Sequence, residues 1–356
     1  MSLLEDRYRF VLRLLLPASY LAAREEEMVA AFLDGAGGAS DGDNPRPRAG
    51  EVASVAALAV RVRLAAGPEL PRYQVLGRAV RRAAFAGLLF HAVLSCVWFA
   101  GFLVAYGLGD VPGALGPVAR GEAGSAERLL DVVWGFAGLL GVAAFAALAR
   151  GRAGAAKVLA VLSLVWLYGG VLGAPGLTGG EAARITATHT LLFGLPVAAL
   201  AAGYHRGAAA PRRPVWLAVL PVVAAVPLYA LLSVLNAGTA LAGDVESTAL
   251  AWAWMDETGL ACLALLVTAA CVPARARGEA HVALSLVLLT APVALARAVD
   301  LTGPPAGPGA VTATQVVQLC ALLLCGAYLL VTALRAMPAR EPAAVRTPDG
   351  ETAGGP

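Results

Sequence analysis

The sequence predicts an all-α protein, a polytopic transmembrane helical bundle of about eight spans behind a small helical head. Three observations predict it. The 356-residue chain is 59% hydrophobic and 14% charged, against about 25% charged in a typical soluble domain. Its apolar residues come in long runs. The first, residues 83–109, holds no Asp, Glu, Lys or Arg and exceeds the roughly 20 residues that cross a bilayer as a helix. The basic residues gather on alternate loops between the runs, as expected when Lys and Arg stay on the cytoplasmic side of a membrane. A net charge of +3, with the arginines set beside apolar runs, excludes nucleic acid as the expected partner.

Residues 1–77 read as a cytoplasmic head. Leu4, Tyr8, Val11 and Leu15 recur at helical spacing, with Arg9 and Arg13 off the stripe. Pro17 ends this helix, and Ser19 offers an N-cap for a second. That helix carries Glu25, Glu26 and Glu27, then Met28 and Phe32, and stops at Gly35. The stretch 35–50 has no periodicity and is rich in Gly, Pro and Asp, which predicts a flexible linker. Residues 51–66 predict a third helix, closed by Gly67 and Pro68. Three short helices make a small core, so the head is expected to lean on the membrane or on a partner.

Within this head, Leu14–Leu16 close a Leu-rich helix and Pro17 makes a turn. The acidic cluster Glu25–Glu27 then precedes the apolar Met28. On these residues the segment Arg7–Gly35 resembles the permease-prefix and HAAS-type helical regions ahead of many actinobacterial membrane proteins, and Glu51–Leu64 continues the likeness. The resemblance implies a regulatory or assembly module, sometimes tied to membrane signalling, and brings no catalytic residues. Arginine outnumbers lysine 26 to one, Lys157 being the single lysine; with the Ala and Gly richness this agrees with a GC-rich, actinobacterial genome.

From residue 78 onward, spans are expected at about 83–106, 129–149, 158–178, 185–204, 215–243, 252–274, 280–299 and 310–334. The loops after the second, fourth and sixth carry Arg150, Arg152 and Lys157, then Arg206, Arg212 and Arg213, then Arg275 and Arg277. The tail carries Arg335, Arg340 and Arg346. Arg120, Arg128, Arg184 and Arg297 are the exceptions, so cytoplasmic termini in the plasma membrane keep 23 of 27 basic residues inside. Asp256 and Glu257 leave the sixth span only 17 uncharged residues. Pro221 and Pro227 should kink the fifth. Gly135, Gly138 and Gly141, and the GxxxG pair Gly169 and Gly173, offer close helix packing. Residues 336–356 are expected to be a disordered tail.

Ionisable groups inside a bilayer are costly and are therefore the first candidates for function. His91 lies nine residues beyond Arg82, about 13 Å along the helix. A neutral histidine bonded to a neighbouring helix is the preferred reading, with a proton relay as the sharper one. Asp131, His189, Asp256, Glu257 and Arg297 fall near the outer ends of their spans. The preferred reading leaves each at the headgroup level. The sharper one converges them on an outward-facing polar pocket, with Arg297 paired to Asp256 or Glu257.

Trp134, Trp216, Trp252 and Trp254 suit interface belts. The five cysteines read as small buried hydrophobes, and His205 and His281 as solvated neighbours of arginines. No metal-ligand spacing, phosphate-cradling Gly-rich loop or nucleophile elbow occurs. No cofactor, metal or enzymatic activity is therefore expected. The leading expectation is a non-enzymatic membrane protein that acts through partner contacts of residues 1–77, in signalling or assembly. The alternative is a permease or secondary transporter.

Overall fold

In the computed structural model the described residues are 2–36, 46–64, 71–107, 122, 124–173, 176–205, 213–242, 245–272, 279–303 and 309–338, and among them every regular element is a helix. Helix α1 (Leu3–Leu15) opens on Ser2, whose hydroxyl accepts from the Glu5 amide at 3.2 Å. Glu5 and Asp6 sit at its positive end and Arg13 at its negative end. Helix α2 (Ala18–Ala36) starts directly after Pro17, so Ser19 lies inside it and does not cap it. Helix α3 is Ala49–Leu64.

Tyr8, Leu12, Leu16, Leu21, Val29, Val55 and Ala59 bury one another across the three helices, and Tyr8 stacks on Phe32 at 3.8 Å. Arg9 straps α1 to α2, donating to both carboxylate oxygens of Glu26 at 2.8 Å. Residues 37–45 of the expected linker and the tail beyond Pro338 lie outside the described residues.

The head leans on the bundle through α3, which packs against α4 (Pro71–Ala105). Helix α4 begins twelve residues before the expected span, with a proline in its first position, where a missing N–H costs nothing. The second span is broken into α5 (Ala126–Ala137) and α6 (Leu140–Ala149) at Gly138 and Leu139. The third, α7 (Ala153–Leu172), starts early enough to include Lys157, which donates to the Tyr204 carbonyl at 2.6 Å. The fourth joins α8 (Gly179–His189) to α9 (Leu195–Gly203) through a π-helical turn at Thr190–Gly194.

Two sequence features explain that fourth span. Thr178 and Glu181 form a reciprocal capping box that starts α8 six residues earlier than expected. Pro196 has no N–H to offer the Leu192 carbonyl, and Leu195 reaches back to the Thr190 carbonyl instead, which widens the turn. In the fifth span residues 215–218 are a 3-10 turn. Helix α10 (Leu220–Ala242) follows, so Pro221 falls in the tolerant first turn and only Pro227 is interior.

The expected sixth span is a broken one. Helices α11 (Val245–Met255) and α12 (Glu257–Cys271) meet at Asp256. The apolar stretches on either side are bent by 64°. The last two spans are α13 (Ala280–Asp300) and α14 (Gly309–Arg335). Among the described residues, seven helical runs are long and apolar enough to cross a membrane, and eight if the bent pair is one span. The chain is a multi-pass, membrane-embedded helical bundle.

Helix α4 is central, packing against α6, α9, α10 and α13. Small residues let the helices close. A Cβ at Gly87 would strike Pro196, one at Gly135 would strike Phe102, and one at Gly141 would strike His91. Gly169 and Gly170 receive the Trp134 ring, whereas Gly173 meets only its own turn, so the GxxxG pair is not a helix contact. Trp134 packs on Gly169 and Gly170 and still keeps 38% of its surface exposed. Of the cysteines only Cys262 is fully buried; Cys271 and Cys320 are exposed, on helices whose outer faces carry exposed residues such as Val267, Leu323 and Leu324.

The two ends of the bundle differ in charge. At one end the Arg213 amide bonds the Ala149 carbonyl at 3.0 Å, and its guanidinium lies over Phe85 at 3.7 Å. There too Arg72 donates to the Pro338 carbonyl at 2.6 Å. The head, Arg213 and the start of the tail therefore share one end, while Arg206, Arg212, Arg275 and Arg277 lie outside the described residues. His205 sits at that shared end part-buried, its Nε2 without a hydrogen-bond partner among the described residues. Desolvation first, then Arg81 and Arg61, push it below the ordinary histidine value.

Candidate functional site: a polar cavity at the broken span

At the end opposite the head, the break at Asp256 assembles a charged network. Asp256 adopts extended backbone geometry and caps α12, its Oδ1 accepting from the Gly259 amide at 2.5 Å. Gly259 is required there, because a Cβ would lie 2.5 Å from the Ala253 carbonyl oxygen of α11. Ending α11 at Met255 frees carbonyls that must find donors within the membrane. That of Ala253 accepts from Arg297 Nη2 at 3.3 Å and from Gln318 Nε2 at 3.0 Å.

Arg297 is fully buried. Its Nη1 and Nη2 donate to the two Asp256 oxygens at 3.0 and 2.9 Å, a fork-to-fork pair. Its Nη1 also donates to Asp300 at 3.3 Å, and Thr188 donates to the other Asp300 oxygen at 3.2 Å. One arginine thus offsets two carboxylates. Beside them His189 Nε2 lies 3.1 Å from Glu257 Oε2, leaving His189 Nδ1 buried without a partner among the described residues.

These groups line a cavity of about 670 Å³, bounded by Trp98, Arg184, Thr188, His189, Trp252, Asp256, Glu257 and Asp300 among others. A second cavity of about 430 Å³ shares Trp98, His189 and Glu257 with it and reaches His91 and Asp131. Asp131 accepts from the Tyr106 hydroxyl at 2.6 Å. His91 meets Phe193 edge-on at 4.7 Å between ring centres, and its Nδ1 has no hydrogen-bond partner among the described residues.

Convergence, not scatter around a rim, is therefore the finding. Five of the residues that the sequence singles out line one cavity or the other, and Arg297 anchors Asp256 from behind. With α8 starting at Gly179, His189 lies ten residues, about 15 Å, inside the helix. Trp252 faces the cavity as well as the interface.

Sequence reasoning missed the roles of Asp300, Thr188, Gln318, Arg184 and Trp98. Asp300 had a signal, since it stands three residues after Arg297 on one helix face. Gln318 had none, being one polar residue in an apolar run. Among the described residues no group of three or more His, Cys, Asp or Glu side chains is arranged to hold a metal.

No family model, curated protein or solved structure matches the chain. Its function is argued from the cavity.

Proposed function

We propose that the chain is a plasma-membrane protein with cytoplasmic head and tail that binds a small polar solute in an outward-facing cavity, in the manner of a permease or secondary transporter. The observation that carries this is the broken span. A helix interrupted inside the bundle, with its Asp256 cap lining a cavity and its freed Ala253 carbonyl held from behind by Arg297 and Gln318, resembles the broken helices with which transporters hold polar solutes in a membrane. The basic end supports the orientation, because arginine-rich connections favour the cytoplasm.

The partner-contact reading keeps one observation in its favour. Helix α3 of the head packs on α4 and α9, the helices that carry His91 and follow the π turn. In this picture the head regulates the bundle to which it is fastened.

A thermal-shift screen of the purified full chain against small polar solutes tests the proposal. At least one solute raises the melting temperature, and Glu257→Ala or His189→Ala abolishes the shift. Solute stabilisation that survives both substitutions, or no stabilisation by any solute, contradicts it.

A further inference from the structure

We propose that the solute is a small organic cation, an ammonium or guanidinium compound carrying an apolar or aromatic portion. The inference rests on reading the cavity as a solute site and adds the chemistry of what enters it. Three carboxylates, those of Asp256, Glu257 and Asp300, line the cavity, and the arginine that offsets the first and last lies behind them with no exposed surface. Arg184 is the other cation at the wall. Its guanidinium is laid against Gly303, just past the C-terminal end of α13, where a positive charge is held by helix-end carbonyls. The accessible charge is acidic.

His189 gives a second, independent pointer. It is 8% exposed and lines both cavities. Its Nε2 lies 3.1 Å from Glu257 Oε2, a placement that puts the proton of a neutral ring on Nε2. That leaves Nδ1 as a lone-pair acceptor with no donor among the described residues. A buried acceptor without a donor is costly, and a ligand N–H is what answers it. Trp98 and Trp252 complete the site. Both indoles line the cavity, and each keeps exposed surface, 38% and 42%. An aromatic face beside carboxylates attracts a cation and its hydrocarbon portion together. An anion would meet three carboxylates against two arginines, one of them, Arg297, with no exposed surface.

The test uses the full chain in lipid nanodiscs and calorimetric titration with phenethylamine, a cation at neutral pH. Phenylacetate and phenethyl alcohol serve as the anionic and neutral counterparts of similar shape. Phenethylamine is expected to bind, and the other two at least tenfold more weakly. Glu257→Gln should weaken amine binding by about tenfold or more, the loss of one charge-assisted hydrogen bond. Trp252→Leu should weaken it while leaving the melting temperature unchanged, which separates lost binding from lost folding.

Equal or tighter binding of phenylacetate or the alcohol, sensitive to Glu257→Gln, would overturn the cation inference and leave the solute site standing. Amine binding unaffected by both substitutions would place it elsewhere and overturn the inference. Absence of binding by all three would overturn it together with the solute-binding reading.

Discussion

At the scale of single residues, Arg297 and Arg9 show how differently one side chain behaves in two settings. Arg297 has no exposed surface and satisfies two carboxylates and a carbonyl at once. Removing one partner of a buried pair leaves uncompensated charge, typically a loss of about 3–5 kcal/mol. Because Asp256 is 40% exposed, Arg297→Ala should cost about 3 kcal/mol, the lower end. Thermal unfolding in nanodiscs checks this. Arg297→Lys should not restore the lost stability, since an ammonium does not fork to two oxygens.

Arg9, its side chain 11% exposed, reaches the solvent-facing Glu26 and holds it below the ordinary carboxylate value, the hydrogen bond being the larger cause. A depressed folded value means that the contribution is present above the unfolded value, about 4.3, and is lost as pH falls through the folded one. Amide exchange at Tyr8 and Leu12 should therefore quicken below about pH 4.3 in the full chain. In Glu26→Gln that part of the acid response should be missing.

At the scale of elements, the two irregular spans matter most, and they were legible to different degrees. The break at Asp256 was visible as two charges in an apolar run, and Asp followed three residues later by Gly259 marks where it bends. The π turn had only Pro196 to announce it, and a proline within an apolar run does not say whether the helix will stop, kink or widen. Pro227 and Pro292 stand inside helices that continue through them. The capping box at Thr178–Glu181 is readable in the sequence and starts α8 six residues before the expected span.

Convergence of the polar groups was beyond the sequence for a physical reason. Whether six residues on different helices meet is set by helix rotation, which depends on packing such as Gly141 against His91. Periodicity in runs that are apolar on every face does not specify that rotation. Pro196→Ala supplies the missing N–H and lets the turn close to α-helical spacing. The rotation that follows should carry His189 away from Glu257. Solute-dependent stabilisation should fall at least severalfold without loss of melting temperature. Unchanged stabilisation would show that the π turn does not position His189.

At the scale of the whole molecule, one fact organises the rest. The head, Arg213 and the start of the tail share one end of the bundle, and the carboxylate-rich cavity lies at the other. The class of molecule was plain from composition and run length, because a bilayer admits so few ways to satisfy backbone polar groups. Seven apolar runs and one bent pair stand where eight spans are expected, the bent pair falling at the sixth, which Asp256 and Glu257 interrupt. The alternation of charge survives this bend because the bent pair still carries the chain across.

The most direct measurement is thiol labelling in intact cells, on a background freed of the five native cysteines. Thr312, a cavity-lining residue, and Arg335, at the end of α14, are each replaced by cysteine. A membrane-impermeant reagent should modify Thr312→Cys in intact cells and Arg335→Cys only after permeabilisation. A saturating solute should protect the first and not the second. Labelling of Arg335→Cys in intact cells while Thr312→Cys stays unreactive would contradict an outward-facing cavity, and with it the function proposed for the chain.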